Sequence, residues 1–430
     1  MLFFYPEMMQ THTILSIYLC LLSAEFLFSV FLEFLNLRNL RMAESSGPEK
    51  GPLPEGQNPE ALSQALVYTK DRTRFAISTL TLDFLLILLL VFLKIPGKIE
   101  SIFIGISGNL YLRGIGTLFG TALVFSIPAT VVSACSHFII EERHGFNRMT
   151  AGIFLQDILK GLLLSAVLGL PLALSLIWLV QNLGSAWWVY SFLLVAFFQL
   201  LIAFLFPVLI APLFFRFSPL EEGPLKERLQ TMAEKTGFTF RSIQVIDGSR
   251  RSAHSNAFFT GFGSSKRIAL FDTLMDSLSD EQIEAVVAHE LGHARLGHTL
   301  RQLLGSVFFL FCTFLLFACL LNWNELFMTF GFQSSSVHAL LVIALFFSSP
   351  LTFWLSPVIS VFSRRREYAA DAFAQKYCGD YHPLAEGLMK LHWNNKSNPV
   401  PHRLYSFFHY SHPTITERIA AMRNRRAREE

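Results

Sequence analysis

Charge is scarce in this sequence. Of its 430 residues only 16% are Asp, Glu, Lys or Arg, against 52% in the hydrophobic class, 44 phenylalanines and a mean hydropathy of +0.44. So few charges cannot coat a soluble globule of this length, which excludes an ordinary cytosolic fold and leaves a polytopic membrane protein. Basic stripes are also missing: the net charge is +3, with Lys and Arg interleaved with Glu, so no nucleic-acid partner is expected. The cysteines are few and unpaired in spacing. Cys20, Cys135, Cys312 and Cys319 fall in apolar segments and only Cys378 in polar sequence, which excludes a disulfide framework or a thiolate metal site and leaves small hydrophobes. No basic run precedes the first apolar segment and no small-residue cleavage site follows it, so that segment reads as a retained span.

What the sequence does have is long apolar runs. Seven are long enough to cross a bilayer, near Thr13 to Leu35, Phe75 to Leu93, Gly114 to Phe138, Leu155 to Val180, Trp187 to Phe214, Leu303 to Leu321 and Val337 to Phe362. The third is interrupted by Pro128, and the fifth contains Pro207 and Pro212. The segments Met1 to Thr11, Gln181 to Trp187 and Asn322 to Ser336 hold no Lys or Arg, whereas Asn36 to Arg74 holds six. With seven spans these poor and rich connections alternate, apart from Lys94, Lys98 and Arg113 in the second. Basic residues accumulate on the cytoplasmic side, so the N-terminus is expected outside or lumenal and the C-terminus cytoplasmic.

The expected organisation has four parts. Residues 1–217 carry five spans with a Pro, Gly and Glu linker at 44–60; residues 218–302 form a cytoplasmic segment; 303–363 are a transmembrane hairpin; and 364–430 are a second cytoplasmic segment facing the first. In the first cytoplasmic piece Pro224 suits a first helical turn, Leu225, Leu229 and Met232 share a face, and Gly237 ends the helix. "FRSIQVID", "SAHSNAFFTGFG" and "RIALFD" read as a small sheet with a hairpin at "SSK", and Ser279 with Gln282 as a capping box.

That cap opens the helix carrying "VVAHELGHARLGH". His289 and His293, four apart, project from one helix face as a zinc clamp requires, and Glu290 follows the first of them, placed to take a proton from a metal-bound water. A catalytic zinc needs a third protein ligand and one open position. His298 imitates a metzincin ligand but falls five residues after His293 instead of six, so it is assigned to helix termination or to contacts behind the ligands. Glu367 in "SRRREYAADAFA" is the better third ligand, with Asp371 one turn on, able to hold a ligating histidine by its other nitrogen. Seventy-four positions and two apolar spans separate His293 from Glu367. The hairpin carries the chain across the membrane and back, delivering Glu367 beside the zinc helix.

Five blocks in order, "EERHGFNRMT", "SAHSNAFFTGFGSSKRIALFDTL", "HELGHARLGH", "SRRREYAADAFA" and "HYSHPTITERI", resemble the type I CAAX prenyl endopeptidase family of integral-membrane, gluzincin-like zinc metalloproteases. The resemblance implies a mainly α fold of seven transmembrane helices enclosing a chamber, with a small cytoplasmic α+β metalloprotease domain. It implies cleavage near the C-terminus of prenylated CAAX-type peptides, one zinc ion per chain, and residence in the endoplasmic reticulum or a bacterial inner membrane. By matching blocks, His289, His293 and Glu367 are the zinc ligands, Glu290 the general base and Asp371 the carboxylate behind them. Asn256 matches a substrate-contacting position on an edge strand, which physics favours because strand addition fixes a peptide backbone. His412 matches a histidine that steadies the oxyanion. Arg418 has no acid three or four residues away, so it is available for a substrate carboxylate. The rival readings are a quality-control zinc protease for membrane proteins and a non-catalytic membrane scaffold.

Overall fold

The structure, a computed structural model, describes residues 4–46, 59–238, 242–260 and 267–429. Most of the expected linker at 44–60 and the "SSK" turn lie outside the described residues. The membrane part comprises α1 (Phe4–Ser46), α2 (Pro59–Phe92), α3 (Ile95–Ile106), α4 (Leu110–Cys135), α5 (Ala151–Asn182), α6 (Trp187–Leu205) and α7 (Ala211–Phe214). After it come strand β1 (Phe217–Pro219), α8 (Pro224–Thr236), β2 (Ser242–Ile246), β3 (Ala257–Thr260), β4 (Arg267–Phe271), α9 (Asp272–Ser277) and α10 (Asp280–Arg295). The chain then runs through α11 (His298–Leu320), α12 (Asn324–Thr329), α13 (Val337–Cys378), α14 (His382–Asn394), α15 (Arg403–His409) and α16 (Ile415–Glu429).

Among the described residues seven helical stretches are long and apolar enough to cross a membrane, one for each run read from the sequence. In their most apolar windows only 6% to 33% of residues are buried. A filled seven-helix bundle would bury an inward stripe on every helix, whereas spans buried this little enclose a chamber. The far end is closed by an aromatic core in which Tyr18, Phe327, Phe330 and Phe346 are almost fully buried. There α3 crosses the turn after α12 so closely that a Cβ on Gly97 would lie 1.9 Å from the carbonyl oxygen of Gly331.

Helix α13 is both span and site. It runs unbroken for 42 residues, so the expected boundary at 363/364 meets no break in the helix. Pro350 and Pro357 each remove one helix hydrogen bond, freeing the carbonyls of Phe346 and Phe353. Both find partners: the Tyr18 hydroxyl reaches Phe346 at 3.5 Å, and Ser356 Oγ donates to Phe353 at 2.8 Å. That repair keeps the helix continuous through the apolar region, as a chain without water must.

The small domain is a four-stranded sheet in the order β1-β2-β4-β3, parallel between β2 and β4 and antiparallel elsewhere. β3 is therefore an edge strand among the described residues. Leu229 and Met232 of α8, Ile268 and Leu270 of β4, and Val287 and Leu291 of α10 share its core with Leu384 of α14. The capping box is formed: Ser279 Oγ accepts from Gln282 N while the Gln282 side chain accepts from Ser279 N. Gly237 ends α8 at φ +59°, as read from the sequence.

Helix α10 packs on α13 at Gly292. A Cβ there would meet Ala370 Cα and Phe373 Cβ, each at 3.1 Å, so the two backbones approach as closely as a glycine allows. Gly292→Leu is expected to lower stability by about 1–3 kcal/mol through overpacking, read as a fall in Tm of the detergent-purified protein. An unchanged Tm would mean that the two helices have room for a side chain at this contact.

Candidate active site

Four elements bring polar side chains to one point at the end of the chamber. His289, Glu290 and His293 come from α10, Glu367 and Asp371 from α13, His412 from the loop after α15, and Arg418 from α16. His289 Nε2 and His293 Nε2 face each other at 3.2 Å. Glu367 reaches both, with Oε2 3.4 Å from His289 Nε2 and Oε1 3.3 Å from His293 Nε2, while His412 Nε2 stands 3.4 Å from the same Oε1. The three groups His289, His293 and Glu367 can each aim one ligand atom within 4.8 Å of the others.

The outer nitrogens are already committed. His289 Nδ1 lies 2.8 Å from Asp371 Oδ1, and His293 Nδ1 lies 3.0 Å from His298 Nδ1. His298 does what the sequence reading gave it: α10 ends at Arg295, Gly297 turns the chain at φ +67°, and α11 starts with the His298 ring behind His293. With the outer nitrogens occupied, the two inner nitrogens converge on a buried carboxylate whose Oε2 has no hydrogen-bond partner. That donor set fits a divalent cation of borderline softness.

Electrostatics act on the same residues. Burial opposes protonation of His289, but hydrogen bonds with Asp371 and Glu367 outweigh it and lift its pKa to about 9. Burial pushes the Glu290 carboxyl above its ordinary range, partly offset by His289 and His293. A carboxyl with a raised pKa holds a proton more readily than a solvated glutamate does.

Two placements differ from what the sequence implied or left unsaid. Arg418 is only 8% exposed, and its guanidinium grips Asp371 along both edges, Nε at 2.9 Å from Oδ2 and Nη2 on Oδ1. Its acid comes from another helix, 47 positions away in sequence, so a search for partners within α16 could not find it. Arg364, for which the sequence shows no partner, donates to the carbonyls of Ser406 and Phe407 at 3.4 Å and of Tyr410 at 2.9 Å, fixing the segment that leads to His412. Asn256 is exposed directly before edge strand β3, its Oδ1 accepting from Ala257 N at 2.8 Å. The preceding residues are held by Asn395, whose Oδ1 accepts from Ser255 N at 3.1 Å, and by the stacking of His254 on Phe146 at 4.1 Å.

Two family models match the chain in succession: "CAAX prenyl protease N-terminal, five membrane helices" over residues 39–216, and "Peptidase family M48" over 219–426. The human CAAX prenyl protease 1 homolog is 36% identical over 349 residues, covering 70% of this chain and 73% of the relative. The Oryza sativa homolog is 32% identical over 420 residues, covering 96% and 98%. The chain belongs to the CAAX prenyl protease 1 family of M48 peptidases. It is therefore a multi-pass membrane metallopeptidase. The crystal structure of S. mikatae Ste24p shares its architecture with a TM-score of 0.87 at 30% identity, over 95% of this chain and 99% of that one.

Asp371→Asn keeps the shape but changes the charge behind His289, and it is expected to weaken metal binding by about 10–100-fold, measured by chelator competition. Asp371→Ala also strips the buried Arg418 guanidinium of both Asp371 hydrogen bonds, leaving it only Glu367 at 3.9 Å, at a cost of about 3–5 kcal/mol. Equal metal affinity in Asp371→Asn and wild type would separate this carboxylate from the metal.

Proposed function

We propose that the chain is a zinc endopeptidase that hydrolyses peptide bonds near the C-terminus of prenylated CAAX-type substrates. The observation that carries the reading is the convergence of His289 Nε2 and His293 Nε2 of α10, beside a half-buried Glu290, on Glu367 of α13, a helix that continues into a membrane span. The names of the relatives, CAAX prenyl protease 1 homologs, support the substrate class.

In this reading His289, His293 and Glu367 hold the ion, which when bound supplies Lewis-acid polarisation of the scissile carbonyl and a more acidic water. Asp371 accepts from His289 Nδ1, which fixes the tautomer that leaves Nε2 free for a ligand role. Arg418 positions Asp371. Glu290 takes the proton of the attacking water and returns it to the departing amine, a task its raised pKa favours. His412, whose Nε2 faces the cluster, donates to the oxyanion. Edge strand β3 with Asn256 pairs the extended peptide by strand addition. The substrate's lipid remains in the chamber or bilayer, and the site lies on the cytoplasmic side with the N-terminus outside or lumenal, as the distribution of Lys and Arg favours.

The test is cleavage of a farnesylated CAAX peptide by wild type and Glu290→Ala, with zinc content measured on both. Wild type is expected to release the last three residues, and Glu290→Ala to bind zinc with kcat reduced about 100-fold or more. A zinc-loaded wild type inert on this peptide would remove the prenyl specificity. Zinc uptake below about pH 9 is expected to release the proton that His289 holds in the metal-free protein, its folded pKa being raised. Zinc titration in a weakly buffered indicator solution measures it, and uptake at neutral pH without proton release would count against His289 as a ligand.

A further inference from the structure

The cavity beside His412 carries a charge that catalysis leaves unused. It has a volume of about 740 Å³ and lies between the ends of α1 and α2, the segment after α14, and the loop bearing His412. Two cations, Arg72 and Lys396, and one carboxylate, Glu33, are in its lining. Lys396 is occupied: its Nζ donates to the carbonyl of His144 at 2.8 Å and sits 5.0 Å from the Phe146 ring.

Arg72 is not occupied in that way. Its guanidinium lies 5.5 Å from the ring centroid of Tyr68, and Nη1 reaches the Tyr68 hydroxyl at 3.4 Å. Tyr68 is 2% exposed and donates its proton to Glu141, so it is a fixed post on which the guanidinium rests. Among the described residues no carboxylate lies within ion-pair distance of Arg72. A planar fork of donors held over a ring, facing a cavity, matches a carboxylate.

We infer that this cavity receives the residues on the C-terminal side of the scissile bond, and that Arg72 binds their α-carboxylate. The inference rests on the endopeptidase reading above. His412 belongs both to the cavity wall and to the cluster, 3.4 Å from Glu367, so one side chain joins the cavity to the candidate site. A chain cut three residues from its end places its carboxylate about 10 Å beyond the scissile carbonyl, at roughly 3.3 Å per residue. The cavity volume lies in the range of about 300–1,000 Å³ usual for a small ligand. Arg418 cannot serve, because Asp371 holds its guanidinium. Glu33 Oε2, buried without a partner, is left to accept a peptide N–H of the same segment.

The test compares a farnesylated CAAX peptide ending in a free carboxylate with its C-terminal amide, and separately the calorimetric binding of the tripeptide Val-Ile-Ser with that of its amide. All use the full chain. Wild type is expected to favour each acid over its amide by roughly 10-fold, in KM and in Kd. Arg72→Gln should raise KM for the acid to that of the amide with kcat nearly unchanged, and Arg72→Lys should restore part of the preference. Arg72 is exposed, so the variants are expected to fold, and thermal unfolding checks this. Equal treatment of acid and amide by wild type, or a preference that survives in Arg72→Gln, overturns the assignment. If wild type cleaves neither peptide, the endopeptidase reading fails and the tripeptide decides the site alone. An acid preference abolished in Arg72→Gln then upholds it, and equal Kd values overturn it.

Discussion

The buried Asp371 carboxylate is the interaction on which the site depends. It accepts from Arg418 of α16 along both edges and lies 2.8 Å from His289 Nδ1 of α10, so one side chain of α13 ties three helices together. Burying such charges is costly, and the cost is offset only when every partner is present and well aligned. The network thus contributes little as a source of stability and much as a constraint. It fixes the rotation of His289, and with it where Nε2 points.

The membrane sets the second constraint. A helix surrounded by lipid must satisfy its own backbone, and α13 does so through two prolines by means of Tyr18 and Ser356. Because the helix stays continuous, Glu367 and Asp371 are rigid extensions of a span and not residues of a loop. The close approach at Gly292 then brings α10 against that rod. Two histidines from a soluble sheet domain and one carboxylate from a transmembrane helix meet at the chamber's end, which is where a peptide with a membrane-bound lipid can reach them.

Much of this was legible in the chain. The seven spans follow from composition, since nothing else accommodates so little charge, and the i, i+4 spacings of His289 with His293 and of Glu367 with Asp371 determine which side chains share a helix face. The capping box of Ser279 and the stop at Gly237 were local signals, read within one turn. The partner of Arg418 was not legible because it is distant in sequence, and those of Arg364 because backbone carbonyls leave no trace in residue type. The Arg72 cavity had no sequence signal, being assembled from five separate segments.

By itself, then, the sequence determined the elements and the inventory of chemistry: apolar runs of spanning length, helical periodicity, turn residues, and the histidines and carboxylates able to hold a metal. These are short-range properties, settled by neighbours a few residues away. The tertiary structure decided which of those groups face one another. Charge pairing, the depth of Glu290, the contact of His298 with His293 and the place of Arg72 on the cavity wall all depend on distances between elements that no local pattern encodes.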